Sequence, residues 1–221
     1  MKKILFTITT IAIASVSSFA QEGVDPTNRT DYRERLLFGF KAGANYANVY
    51  NAKGASFNAD PRWGFATGAF IAIPIGTLIG IQPEILFSQK GFQGNGNLIL
   101  GGDYKFSRTT NHIDVPLLFA LKPTEFITIV AGPQYSYLLS QKDIYTFGNT
   151  SVANETEFSN SNLRKNTLCF TGGLDFTMKH LVVGLRVGWD LQQNNGDGST
   201  TQMRYKNTWY QATIGYRFYS N

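Results

Sequence analysis

Chemistry in this 221-residue chain has few side chains to draw on: two histidines, His112 and His180, and one cysteine, Cys169. His112 and Asp114 stand two apart in HIDVPLLF, so on an extended strand they share a face. A histidine beside a carboxylate supplies two members of an acyl-transfer triad, and Ser88 on the preceding strand is the nearest candidate for the third. By parity, however, His112 lies on the face that carries charge along the whole chain. Its expected role is to cap a polar interior, and no catalytic residue is assigned. His180 falls in a two-residue turn and is expected to be solvated. Cys169 has no partner for an internal disulfide and reads as a small wall residue. No metal-ligand spacing, phosphate loop or Gly-x-Ser-x-Gly elbow occurs, so no cofactor and no metal site is expected. Gly101-Gly102-Asp103 and Gly196-Asp197-Gly198 are turn chemistry, and the sequons at Asn149 and Asn154 are read as chance.

The elements that hold these residues are strands. From Trp63 to Gly91 two arms alternate with a period of two about the turn Gly76-Thr77-Leu78. One face carries Trp63, Phe65, Ile71, Ile73, Ile79, Ile81, Ile85 and Phe87; the other is small on the first arm and holds Glu84, Ser88 and Lys90 on the second. The same alternation recurs at about 36–50, before Leu121, at about 126–140, around Leu168–Met178, from Leu181 to Gln192 and up to Phe218. Eight strands result. They are joined alternately by long loops (51–61, 92–108, 141–162 and 193–203) and by short turns.

An even strand number with short turns at one end and long loops at the other is the pattern of an outer-membrane barrel. The strands also exceed the ~5–6 residues usual in soluble sheets and reach the ~9–11 needed for a tilted crossing. The aromatic residues sort by height. Tyr46, Trp63, Phe87, Tyr135, Tyr137, Phe170, Trp189 and Tyr210 fall near the loop end of the apolar face. Phe38, Phe119, Phe176, Tyr216 and Phe218 fall near the turn end, with an aliphatic band between. Two aromatic belts are what lipid–water interfaces select. The expected fold is all-β, an eight-stranded antiparallel up-and-down transmembrane β-barrel. Its narrow interior would hold Lys41, Glu84, Lys90, Asp114, Asp175, Arg186, Asp190 and Arg217, with Arg186 and Arg217 as candidate partners for Glu84. So filled, it is no general pore.

The N-terminus supports export. Lys2 and Lys3 precede an apolar run, Ile4–Val16, and Ser18-Phe19-Ala20 offers a small-x-small cleavage site. Residues 1–20 are therefore expected to be a signal peptide, 21–35 a short polar lead-in and 36–221 the barrel. Without Lys2 and Lys3 the chain keeps 18 basic against 15 acidic residues, too small an excess to imply nucleic acid.

As a set, GFKAGANYANVY (39–50), IPIGTLIGIQPEILFSQKG (73–91), HIDVPLLF (112–119), AGPQYSYLLSQK (131–142) and IGYRF (214–218) resemble the PorT-like outer-membrane β-barrel family. The resemblance covers nearly the whole chain after the signal. It implies a barrel in a Gram-negative outer membrane, similar in shape to OmpX and the OmpA membrane domain, in contact with outer-membrane lipid and inserted by the barrel-assembly machinery. It implies no defined activity. The expected function is structural or surface-interacting and non-catalytic, carried by the external loops, where Tyr145, Phe147 and Phe158 of 141–162 offer contacts for a protein or glycan. The alternatives are a secretion-machinery component of the PorT type and a lipid-modifying enzyme.

Overall fold

In the computed structural model, residues 31–53, 58–97, 103–147, 150–157, 164–194 and 204–218 are described. The expected signal peptide and most of the lead-in lie outside them. The chain divides into two compact units, Met1–Asp31 and Tyr32–Asn221, and every element below belongs to the second. After a single 3-10 turn, Tyr32–Glu34, come β1 (Leu37–Lys53), β2 (Asn58–Pro74), β3 (Ile79–Asn97), β4 (Asp103–Leu121), β5 (Ile127–Phe147), β6 (Thr150–Glu157), β7 (Asn166–Met178), β8 (Leu181–Asp190) and β9 (Arg204–Phe218).

Eight of these strands close a ring. Each pairs antiparallel with its neighbour along the chain, β4 joins β5, β5 joins β7, and β9 returns to β1. Closure pairs Phe38 with Phe218 and Tyr46 with Tyr210, and the first and last strands keep one register from Phe38 to Tyr50, so the ring leaves neither of them an open edge there. β6 is the ninth strand and lies outside the ring. It pairs with the distal half of β5, Ser140 through Phe147, whereas the proximal half of β5, Ile127 to Tyr137, pairs with β7.

Three of the expected loops are thereby corrected. Residues 51–61 and 92–108 are largely strand, and 141–162 opens with the end of β5 followed by β6. The apolar-out pattern stops at the aromatic belt, but pairing does not. Beyond Phe87, β3 continues through Gln89, Gln93 and Asn95 on its outer face, and β4 begins with Lys105, Ser107, Thr109 and Asn111. At ~3.3 Å per residue and the usual strand tilt, this extension stands on the order of 20 Å clear of the belt.

On the ring's outer surface Trp63 (68 % exposed), Tyr210 and Tyr135 share the distal belt with Tyr46, while Phe87, Tyr137 and Trp189 are half-buried there. Tyr46 meets Trp63 at 4.9 Å, Phe65 meets Phe87 at 5.2 Å and Phe170 meets Trp189 at 5.4 Å between ring centroids. At the turn end Phe38 stacks on Phe218 at 5.5 Å, and Tyr216 packs edge-on against Phe218 at 5.1 Å. Between the belts Leu117, Ile129, Leu185 and Ile214 remain exposed.

Candidate functional site: the filled lumen and its distal cap

The interior fills in layers because inward positions recur on neighbouring strands at matching heights. The lowest layer centres on Glu84. Its carboxylate accepts from the Lys41 ammonium, from Gln82 Nε2 at 2.9 Å and from Arg186 Nη2 at 3.5 Å. Arg186 also donates to Asp175 at 2.8 Å and through Nη1 to the Leu174 carbonyl at 3.0 Å. All four ionic side chains are nearly water-free, so each charge depends on its neighbours to offset desolvation. Asn45 bridges upward, donating to Ser88 at 3.0 Å and accepting from Gln211 at 2.9 Å.

The next layer holds Lys90, which pairs with Asp114 at 2.9 Å and lies 3.7 Å from the centre of the Trp209 ring. The indole takes this place because β8 carries Gly188 beneath it; a Cβ there would overlap the ring. Asp114 also accepts from Ser136. Asp190 is held by hydrogen bonds, accepting from the backbone and side chain of Asn207 at 2.8 and 2.6 Å and from the Cys169 thiol at 3.1 Å.

Above the belt the interior turns aromatic. Phe92, Phe106 and Tyr205 form a buried cluster joined by Tyr145, 4.9 Å from Phe106. Arg108 sits among them, 5.4–5.8 Å from three ring centres, and forks onto Asp143 with bonds of 2.7 and 2.6 Å. Burial opposes the Arg108 charge, but Tyr205 and Asp143 outweigh it and raise the pKa above the ordinary arginine value. Burial likewise raises the pKa of the Tyr205 phenol, despite the cation beside it.

Of the eight residues expected inside, seven are buried: Lys41, Glu84, Lys90, Asp114, Asp175, Arg186 and Asp190. Arg217 stands apart, corrected to the turn end. There its Nε donates to the Lys179 carbonyl at 2.6 Å and its guanidinium lies 5.5 Å from the Tyr32 ring, so it does not reach Glu84. His180 is not simply solvated; it stacks on Tyr216 at 4.9 Å and its Nδ1 meets the Arg217 carbonyl at 3.0 Å.

His112 is buried, and its Nδ1 has no hydrogen-bond partner. Ser88 is its cross-strand neighbour, but that hydroxyl accepts from Asn45. The three triad candidates are thus near one another without the nucleophile–base bond that acyl transfer requires. No group of three or more metal-ligating side chains occurs among the described residues. Arg108, Asp143 and Trp209 were not singled out from the sequence. For Arg108 the signal was present: the even positions Tyr104 to Asp114 continue the inward parity of His112.

A buried thiol gives an independent check of this packing. In the folded barrel Cys169 is expected to resist a water-soluble maleimide for hours and to react fully once unfolded in urea. Rapid labelling of the native form would mean an open lumen.

A closed ring of long antiparallel strands, belted outside and packed with polar side chains inside, defines a transmembrane β-barrel of the outer-membrane kind. Residues 19–216 match the family described as outer membrane protein beta-barrel domain, and the chain belongs to that family. Its place is the outer membrane. Similar solved structures include Ail of Yersinia pestis in complex with the heparin analogue sucrose octasulfate (13 % identity, 83 % of this chain and 99 % of that chain, TM-score 0.48). They also include OprG from Pseudomonas aeruginosa (14 % identity, 84 % and 95 %, TM-score 0.38) and the outer membrane protease OmpT from Escherichia coli (8 % identity, 88 % and 99 %, TM-score 0.40). No curated protein matches the sequence significantly.

Proposed function

We propose that this protein is a non-catalytic surface-interaction barrel that offers an extended polypeptide partner a strand edge outside the cell. What supports the reading is β6. Above the belt β2, β3, β4, β5 and β6 continue as one antiparallel sheet, and within the described residues β6 ends it with nothing paired on its far side. An open edge offers a row of backbone donors and acceptors, so binding by strand addition uses main-chain hydrogen bonds that any extended segment can supply. The layered lumen fits this role, because an eight-stranded interior full of paired side chains conducts poorly. The chain arrives as a precursor whose residues 1–20 are the signal, and the barrel-assembly machinery inserts it.

Deleting residues 148–157, which include β6, tests the reading. The variant is expected to keep its heat-modifiable gel migration while its cells lose binding to the surfaces that wild-type cells bind. Unchanged surface binding together with impaired protein secretion would instead favour the PorT-type role.

A further inference from the structure

We propose that Arg62 is a binding point for the phosphate of an outer-leaflet lipid headgroup. Arg62 pairs across from Ala47, one step beyond the belt pair Tyr46 and Trp63. Strict alternation would turn its side chain inward. The β2–β3 register shifts between Pro61 and Ala66, however, so β2 carries one residue more than β3 over this interval. Such a bulge re-aims a side chain. Here the guanidinium emerges on the outer surface, crosses β3 and reaches the outward hydroxyls of Ser107 and Thr109 on β4. The residue crossed is Gly91, where a Cβ would meet the Arg108 carbonyl and where the absence of a side chain leaves the path open.

Both hydroxyl bonds are made by Nη1. That nitrogen has two protons, so it is fully used; Nη2 and Nε make no hydrogen bond among the described residues and are not enclosed, which leaves their fork of donors open to a ligand. This fork is the half of an arginine that grips a phosphate with two parallel bonds. No carboxylate pairs with Arg62 among the described residues. Asp60, two residues further out, is exposed and makes no ion pair with it. Exposed Lys105, on the same outer face as Ser107, adds a second positive charge.

Height selects the occupant. Trp63 and Tyr46 mark the interface where amphipathic rings sit among headgroups, and short turns mark the periplasmic end. Arg62, at the opposite end, therefore stands at the level of outer-leaflet phosphates. Acyl chains of the same lipid would lie below it against Trp63 and Phe65, both exposed. A clamped arginine at the end of an apolar slope fits an anionic lipid better than a freely diffusing anion.

The test uses the full-length barrel reconstituted in phosphatidylcholine nanodiscs doped with bisphosphorylated lipid A, with retained lipid counted by native mass spectrometry. Arg62→Gln is expected to retain about fivefold less lipid A than wild type, in line with ~1 kcal/mol per basic residue near an anionic surface. The double variant Ser107→Ala/Thr109→Ala keeps the arginine but frees it, and is expected to show a smaller loss. Dephosphorylated lipid A should be retained equally by wild type and Arg62→Gln, and millimolar inorganic phosphate should not displace the lipid. Equal retention of lipid A by wild type and Arg62→Gln, with normal folding of both, overturns the proposal. A loss equally large with the dephosphorylated lipid does so too, and displacement by inorganic phosphate would reassign the site to a free anion.

Discussion

Glu84→Ala is expected to destabilise the folded barrel by about 3–5 kcal/mol, the range for removing one partner of a buried ion pair. The carboxylate is shared by Lys41, Arg186 and Gln82. Arg186 would keep Asp175 at 2.8 Å, and Gln82 also reaches Asp175, at 3.1 Å. Lys41 has no second hydrogen-bonded anion: besides the Phe70 ring at 5.8 Å it feels only the more distant Asp175 carboxylate, so its ammonium would be left desolvated without a direct partner. The cost should therefore fall mostly on Lys41. It follows that Lys41→Met with Glu84→Leu should recover most of the loss, because a buried pair exchanged for apolar side chains is often near neutral. Glu84→Gln should fall between, keeping a hydrogen-bond acceptor but no charge. Urea unfolding in lipid vesicles, followed by tryptophan fluorescence, reads all three. An unchanged midpoint for Glu84→Ala would mean that water rather than the carboxylate supports Lys41.

How much of this was legible in the sequence depended on whether parity held. From the turns to the belt it did: Leu117 against Asp114, or Leu185 against Arg186, declare their faces because lipid lies on one side and a polar lumen on the other. Above the belt the outer face becomes polar while the inner face becomes aromatic, so the contrast inverts. Phe92 and Phe106, read as loop residues, are buried with Tyr205 in the distal cap, and Tyr145, read as a surface contact, packs against them. On β5 the parity itself slips. Asn111 pairs with Ser140 and His112 with Leu138, so Leu139 is extra. The inward residues Gln134 and Ser136 are consequently followed by Gln141, Asp143 and Tyr145. A bulge of one residue flips every later side chain, and nothing in the local composition marks it. The same blindness hid Arg62, whose neighbour Trp63 had already been assigned outward. Glu84's partners were half-legible: Arg186 and Arg217 lie on the inward parity of adjacent strands, but only height separates the one that reaches Glu84 from the one at the turn end.

Leu185→Arg is expected to cost ~2–4 kcal/mol, the penalty for a cation on the lipid face near the bilayer midplane. Leu185 is the middle of the five outward positions of β8, between Leu181 and Trp189, and its cross-strand neighbours are Leu174 and Ala212, so no polar group lies beside it. It is 46 % exposed on the outer surface. One residue along the chain, Arg186 carries the same guanidinium at almost the same depth, buried against Asp175 and Glu84. The two positions differ in little but the face of the sheet, and the expected cost measures that difference. Leu191→Arg supplies the depth control: Leu191 lies beyond Trp189, where the penalty should fall to ~0–1 kcal/mol. Reversible unfolding in vesicles gives both values, and the yield of heat-modifiable protein in cells gives the consequence for assembly. Equal costs at 185 and 191 would break the argument from depth. A Leu185→Arg barrel as stable as wild type would mean that Leu185 faces water, and with it the whole belted surface would have to be turned inward.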